Sequence, residues 1–312
     1  MIARIEELMR HDTAGDPMSG LKWTRKTTAK IAVELASAGI EVSDRTVAKL
    51  LKKMGFSLRV NHKKLSSTTS PGLRDAQFTH IAELRERFAE QGLPIISIDA
   101  KKKELVGRFR NPGNAWRREP ELVKDHDFRS EALGIAIPYG VFDLHANRGT
   151  VFVGTTSDTP DFAVDCVERW WCTDGRQRHR GARHLAILAD GGGSNNPRSR
   201  AWKYGLQTRV CNRYDLSITV AHYPAGASKW NPIEHRLFSE ISKNWAGRPL
   251  DSYETILNYL RTTTTKAGLA VQAELVSTSY ERGLRISDDQ MNQLHITAAD
   301  TLPKWNYTLT PA

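Results

Sequence analysis

The sequence predicts an α/β fold with a mixed sheet, preceded by an all-α region built around a helix-turn-helix. Three observations carry this. Short apolar runs alternate with amphipathic helices between about residues 94 and 245. Two of those runs flank LHANRG, which reads as an antiparallel hairpin among otherwise crossover-linked strands. Before Gly92 only helical periodicity occurs. A chain of 312 residues has room for two or three such modules and for a core that needs no disulfide or structural metal.

The elements follow in order. Ile31, Val33, Leu35 and Ala38 give the first short helix its apolar surface, and Gly39 stops it. Ser43 is placed to cap a second helix, in which Val47, Leu50, Leu51 and Met54 recur at helical spacing before Gly55. The polar side of that helix carries Arg45, Lys49, Lys52 and Lys53. The second helix of such a pair lies in the DNA major groove, so these four are candidate DNA contacts. Residues 57–73 are polar, basic and broken by Pro71-Gly72, a linker in which Lys63 and Lys64 can follow phosphates. Residues 74–91 form an amphipathic helix on Phe78, Ile81, Leu84 and Phe88. Strands follow at 94–98, 139–143, 150–153, 185–189 and 216–221, with helices at 160–171 and 232–245. Thr159 caps the first of these helices with Pro160 in its opening turn, and Asn231 and Pro232 do the same for the second. After a helix at 252–263 the tail is polar and irregular.

Forty-five Lys and Arg against 35 Asp and Glu leave a charge of +10, which suits a polyanionic partner. The surplus is concentrated: residues 1–75 hold 14 basic and 8 acidic side chains, and residues 169–213 hold 10 against Asp174 and Asp190 alone. Three cysteines, none in a CxxC pair, fit a reducing compartment. No apolar run is long enough to span a membrane, and the first residues lack the apolar core of a signal peptide. A cytoplasmic location at the nucleoid is expected.

Asp99 and Asp190 each follow an apolar run at the end of a predicted strand, where open α/β sheets place ligands. Glu234 shares a helix face with Phe238, Ile241 and Trp245, so its carboxylate opens an inward apolar stripe, which is costly unless something binds it. Glu240 lies far round the same helix, towards solvent. Acids converging in a basic protein invite Mg²⁺, which takes carboxylates and bridges to phosphate oxygens. Gly191–Asn196 (GGGSNN) either lets backbone approach a phosphate or is a flexible loop. Lys101–Lys103, Arg198, Arg200 and Lys203 follow the two aspartates and could hold DNA. His145, His222, Trp170 and Trp171 read as structural, and Cys166, Cys172 and His179 fit no common zinc spacing.

The stretches SIDAKKKELVG, ILADGGGSN and WNPIEHRLFSEISKNW together resemble DDE transposases, the last being similar to the NPIE-type helix of mariner-like enzymes. A longer pattern resembles the bacterial Rhodopirellula-type transposase DDE domain: RKTTAKIAVEL, RTVAKLLKKMGFSL, RDAQF, NPGNAW, DTPDFAV with ERWW, TTTTKAGL and WNYTL. This resemblance implies a helix-turn-helix DNA-binding region with basic linker over 1–70, an RNase H-like catalytic domain over 71–250 and an extension over 251–312. It implies Asp99, Asp190 and Glu234 as ligands of Mg²⁺, with Mn²⁺ able to substitute. It implies strand cleavage and strand transfer at terminal inverted repeats of double-stranded DNA, performed by a homo-oligomer without a covalent protein–DNA intermediate. The alternatives are an inactive, DNA-binding relative and an RNase H-like nuclease without strand transfer.

Overall fold

Side chains alternate between two covered faces of the sheet, so the central strands are buried almost throughout, and this sets the layers of the protein. The computed structural model describes residues 2–9, 13–15, 22–24, 27–56, 71–227 and 230–312; Lys63 and Lys64 lie outside them. Residues 1–65 and 66–312 form two compact units.

In the first unit, α1 (Ile2–Met9), α2 (Thr28–Ser37) and α3 (Asp44–Lys53) bury Ile5, Ile31, Leu35 and Val47 completely. Thr27 and Ser43 cap α2 and α3, accepting from the backbone of Lys30 and Thr46, each at 3.2 Å. Between the helices Gly39 takes φ +78°, open to glycine at little cost. Val33 is 66% exposed, because it lies on the opposite side of α2 from Ile31 and Leu35. The unit is not purely helical. β1 (Thr13–Gly15) pairs antiparallel with β2 (Lys22–Thr24), a hairpin too short to give a two-residue alternation in the sequence.

In the second unit, α4 (Pro71–Glu90) leads to β3 (Ile95–Ala100), β4 (Glu104–Val106), β5 (Gly134–Asp143) and β6 (Arg148–Gly154). α5 (Pro160–Trp170) runs through a π-helical turn into α6 (Arg176–Arg178), and β7 (His184–Ala189) follows. α7 (Arg200–Gly205) passes through a second π turn into α8 (Asn212–Tyr214), then β8 (Ser217–His222). A third π segment, Glu234–Phe238, opens α9 (Ser239–Asn244). α10 (Tyr253–Arg261), β9 (Ala270–Val276), α11 (Asp288–Asn292), β10 (Ile296–Ala298) and β11 (Asn306–Leu309) complete the chain.

Nine strands make one sheet, ordered β10-β11-β8-β7-β3-β5-β6-β9, with β4 beside β5. β3, β7 and β8 are parallel, as are β6 and β9; the β3-β5-β6 meander is antiparallel. The mixed sheet expected from the sequence is present. One face packs Ile96, Ile98, Tyr139 and Ile187 against α5 and α7, with Trp170, Trp171 and Trp202 all buried. The other packs Ile95, Phe142, Ala186 and Leu188 under α4, α9 and α10.

In place of the irregular tail expected after residue 263, three strands extend the sheet at both edges. In β9 only Val271 and Val276 are deeply buried, and Gln272 and Glu274 interrupt the apolar pattern. β10 is wholly exposed, and in β11 the polar Asn306 is buried along with Tyr307 and Leu309, with only Thr308 half-buried. Strands this short and polar carry little periodic signal. The outer side of β9 is partly occupied: Arg261 donates twice to the Ala273 carbonyl, at 3.2 and 2.9 Å, and Thr264 bridges Ala270. Among the described residues no helix is long and apolar enough to cross a membrane.

Candidate active site

Strand register brings the first two acids together. β3 and β7 run parallel with Ile98 opposite Ala189, so the next residues, Asp99 and Asp190, come abreast at the same end of neighbouring strands. Such strands lie about 4.8 Å apart. Asp99 is still within β3, which continues to Ala100, so its backbone is held by pairing with Gly140. Its Oδ1 accepts from the Ala100 N–H at 2.7 Å.

The same strand also fixes the helix that carries Glu234. Ser97, two residues before Asp99 and on the same face, accepts from the Ile233 N–H at 3.3 Å and donates to Asn231 Oδ1. Ser97 thus ties down the helix start, and the Asn231 side chain, expected as its cap, is turned to the strand instead. Gly140, the partner of Asp99 across the sheet, leaves the room into which Ile233 and Phe238 pack. A Cβ there would lie 2.7 Å from both side chains. Gly149 makes the same allowance for Leu237. The π segment begins at Glu234 itself, a local widening that proteins often place at functional positions.

The three acids feel one another. Burial first, then the charges of Asp190 and Glu234, push the Asp99 carboxyl up to about 8. Burial and the charge of Glu234 also raise Asp190, against a lowering N–H from Gly192. A fourth acid, Asp158, adds to the repulsion on Asp190, and its Oδ1 is buried without a partner. Buried carboxylates in mutual repulsion are costly without a counter-charge. The donor set is all oxygen, which suits a hard divalent cation. As the side chains stand, no three acidic, histidine or cysteine groups among the described residues close into an ion cage.

The loop after Asp190 is anchored rather than loose. Tyr139 donates to Asn195 Oδ1 at 2.6 Å, and burial raises its hydroxyl well above the ordinary range. His222, fully buried, places Nε2 2.8 Å from the Asn195 carbonyl and Nδ1 2.8 Å from that of Trp305. Gln77 on α4 donates to the His222 carbonyl and to Asn306, at 2.8 and 2.7 Å. One polar network therefore joins α4, β8 and the last strand to the loop that follows Asp190.

The Rhodopirellula transposase DDE domain matches residues 4–311. The chain belongs to this transposase family. No curated protein matches the sequence. Solved structures that it resembles include a Mos1 transposase paired-end complex with the left transposon end, at 17% identity and a TM-score of 0.44 over 83% of this chain and 69% of that one. The Mos1 strand transfer complex gives the same values. A Mos1 mariner paired-end complex with Mn gives 16% identity and a TM-score of 0.45 over 83% and 70%.

The other residues singled out in this DDE domain fall into distinct settings. Arg45, Lys49, Lys52 and Lys53 are all exposed on α3. Arg198 is exposed, while Arg200 pairs with Asp288 at 2.6 Å and donates to the Ile286 carbonyl. Lys101 is drawn inward, with Nζ 3.5 Å from Glu104 and 4.8 Å from the Trp245 ring centre. Lys203 lies over the Tyr307 ring, and Glu240 pairs with Lys243. His145 sits in the β5–β6 turn, at the opposite end of the strands from Asp99. Cys172 lies against the Tyr214 hydroxyl and His179 against Asp143, so neither joins Cys166 in a zinc set. Sequence reasoning missed Ser97, Gly140 and Asp158. A lone serine inside the apolar run IISID was the one available signal for Ser97.

Proposed function

We propose that this transposase cuts and joins DNA strands at the ends of its element, with Asp99, Asp190 and Glu234 as the ligands of Mg²⁺ or Mn²⁺. The observation that carries the reading is the register of β3 and β7, which sets two aspartates abreast, together with the Ser97 contact that fixes the Glu234 helix to the same strand. Bound there, the cation supplies a positive centre that activates water and steadies the leaving oxygen of a phosphodiester. The protein does the rest. Its three carboxylates orient the site, Ser97 and Gly140 hold Glu234 in place, and Tyr139 and His222 hold the loop of Asp190. The mutual repulsion of the acids is the stored cost that a cation would relieve.

In this reading residues 1–70 bind the transposon end, with α3 as the recognition helix and Lys63, Lys64 and Arg198 on phosphates. Residues 71–250 form the RNase H-like catalytic core and 251–312 extend it. The chain works on double-stranded DNA as a homo-oligomer that pairs two ends. The decisive experiment incubates the full chain with duplexes spanning the genomic flanks of its gene, with and without Mg²⁺. Metal-dependent nicking at a defined end position is expected; random nicking, or none, removes the reading.

Arg45→Ala and Lys49→Ala are expected to weaken end binding by about 1–3 kcal/mol where the side chain reads a base, and to lower the salt slope by about one where it meets a phosphate. Gel-shift titrations at several salt concentrations separate these. Unchanged affinity in both variants moves recognition off α3.

The raised Asp99 carboxyl also predicts a pH signature. Unfolded aspartate releases its proton near 4, whereas Asp99 in the folded chain holds it up to about 8. Between these values the folded state binds the extra proton, so this contribution to stability is full at the acidic end and is lost as pH rises. Metal-free protein should therefore melt lower at about pH 8 than at about pH 5 by a margin that shrinks in Asp99→Asn. Added Mg²⁺ should raise the melting temperature more at the higher pH, where the ligands are ionised. A Mg²⁺ effect that ignores both pH and the substitution would detach the cation from Asp99.

A further inference from the structure

Between β4 and β5 the chain makes a long excursion that contains the motif NPGNAW, Asn111 to Trp116. The first half of the motif is locked in place. Asn111 Nδ2 donates to the Trp245 carbonyl and the Gly247 N–H donates to the Pro112 carbonyl, both at 2.9 Å. Gly113 takes φ +108°, and a Cβ on it would fall 2.6 Å from that of Ala246. Gly247 at φ +66° is crowded in turn, its missing Cβ 3.0 Å from the Gly113 carbonyl oxygen. Two glycines thus interlock, and they join the excursion to the turn that ends the Glu234 helix.

The second half of the motif stands free. Trp116 is 105% exposed, so its indole meets solvent on both faces. Burial of a tryptophan is among the larger apolar gains available to a protein, and this one, on a fixed mount, forgoes it. Beside it lies a cleft of about 470 Å³ whose charged lining is Arg110, Arg117 and Arg118 with Glu119 and Glu121, the last of these already paired with Arg117. Arg117 is anchored by Gly247 and Glu121, and its buried Nε has no partner. Arg110 and Arg118 have no ion-pair partner among the described residues. From Lys101 to Arg118 there are seven basic side chains and one acid, Glu104.

We propose that Trp116 and this arginine-lined cleft form a binding site for an unpaired nucleobase and its phosphate, on the DNA strand held at the neighbouring acids. The inference rests on the reading of those acids as a DNA-cleaving centre and names a second contact that the substrate makes. The chemistry selects this occupant. An aromatic face stacks on any base whose own face is open, and arginines take the phosphate beside it. A fully paired duplex offers edges and phosphates but no base face along its length.

The test uses the full chain in EDTA, so that binding is read without cleavage. The probe is a duplex with a short unpaired bubble carrying 2-aminopurine, whose fluorescence falls on stacking. A fully paired duplex of the same length is the comparison. The parent chain should quench the probe. Trp116→Ala should lose the quenching and bind the bubble roughly five- to a hundredfold more weakly, with affinity for the paired duplex unchanged. Trp116→Phe should keep most of both signals. Equal bubble affinity and quenching in parent and Trp116→Ala would overturn the proposal. So would a Trp116→Ala chain whose mass in solution drops from dimer to monomer while its DNA affinity stays the same, which would give the indole to a second copy. Persistence of Mg²⁺-dependent nicking in Asp99→Asn would instead overturn the assignment of the acids and leave the stacking result standing.

Discussion

Asp99→Asn is expected to eliminate strand cleavage, by on the order of a thousandfold or more, and to leave DNA affinity within about twofold of the parent chain. The substitution keeps the shape of the side chain and its bond from the Ala100 N–H. It removes the negative charge that a cation needs from this position, and electrostatic stabilisation of that kind is the largest single contribution in most active sites. DNA affinity survives because the exposed basic groups on α3 and at Arg198 are untouched. The folded metal-free protein should gain from the change. An amide ends the repulsion among Asp99, Asp190 and Glu234, so the variant should melt at or above the parent temperature at about pH 8. Cleavage and thermal stability moving in opposite directions is the result to look for. Residual Mg²⁺-dependent nicking would take Asp99 out of the site.

Gly140→Ala, a single methyl with no charge and no hydrogen bond, is expected to reduce cleavage by about a hundredfold. The added Cβ would lie 2.7 Å from Ile233 and from Phe238, whose ring cannot simply fold away. The helix must shift, and Glu234 sits between those two residues. Misplacement of a catalytic group by about 1 Å can cost about a hundredfold in rate, and overpacking itself costs about 1–3 kcal/mol. Gly175→Ala is the control. It crowds Trp170 and Trp171 to a similar degree, but it lies near His179 and Asp143, at the far end of the sheet. Both variants should lose stability in urea titrations, and only Gly140→Ala should lose cleavage out of proportion. Parallel losses in the two would mean that Gly140 serves packing alone.

How far this could be read in the sequence depends on how local each signal is. Asp99 and Asp190 stood out because IISI and LAILA are compact apolar runs that end in an acid, and parallel register does the remainder. The Glu234 helix was legible from its apolar stripe. What holds that helix was not, since Ser97 acts on Ile233 across 136 positions of chain and its role exists only after the sheet has formed. Asn231 shows the limit of capping rules, because a tertiary partner took the side chain that local geometry had assigned to the helix. Lys101 looked like one of three equal lysines, but proximity to Trp245 sets it apart. The strands after residue 263 escaped because they are short, polar and recruited to a sheet whose other members already exist.

The guarded flank of β9 has a consequence for how copies of this protein can meet. A parallel strand at the end of a sheet offers a ready template to the same strand of another copy. Here the Arg261 guanidinium already occupies one of the carbonyls that such zipping would use, and Thr264 takes up another position. At the opposite border, β10 is three residues long, too brief for lasting backbone union. Backbone pairing between copies along either border of this sheet is therefore disfavoured.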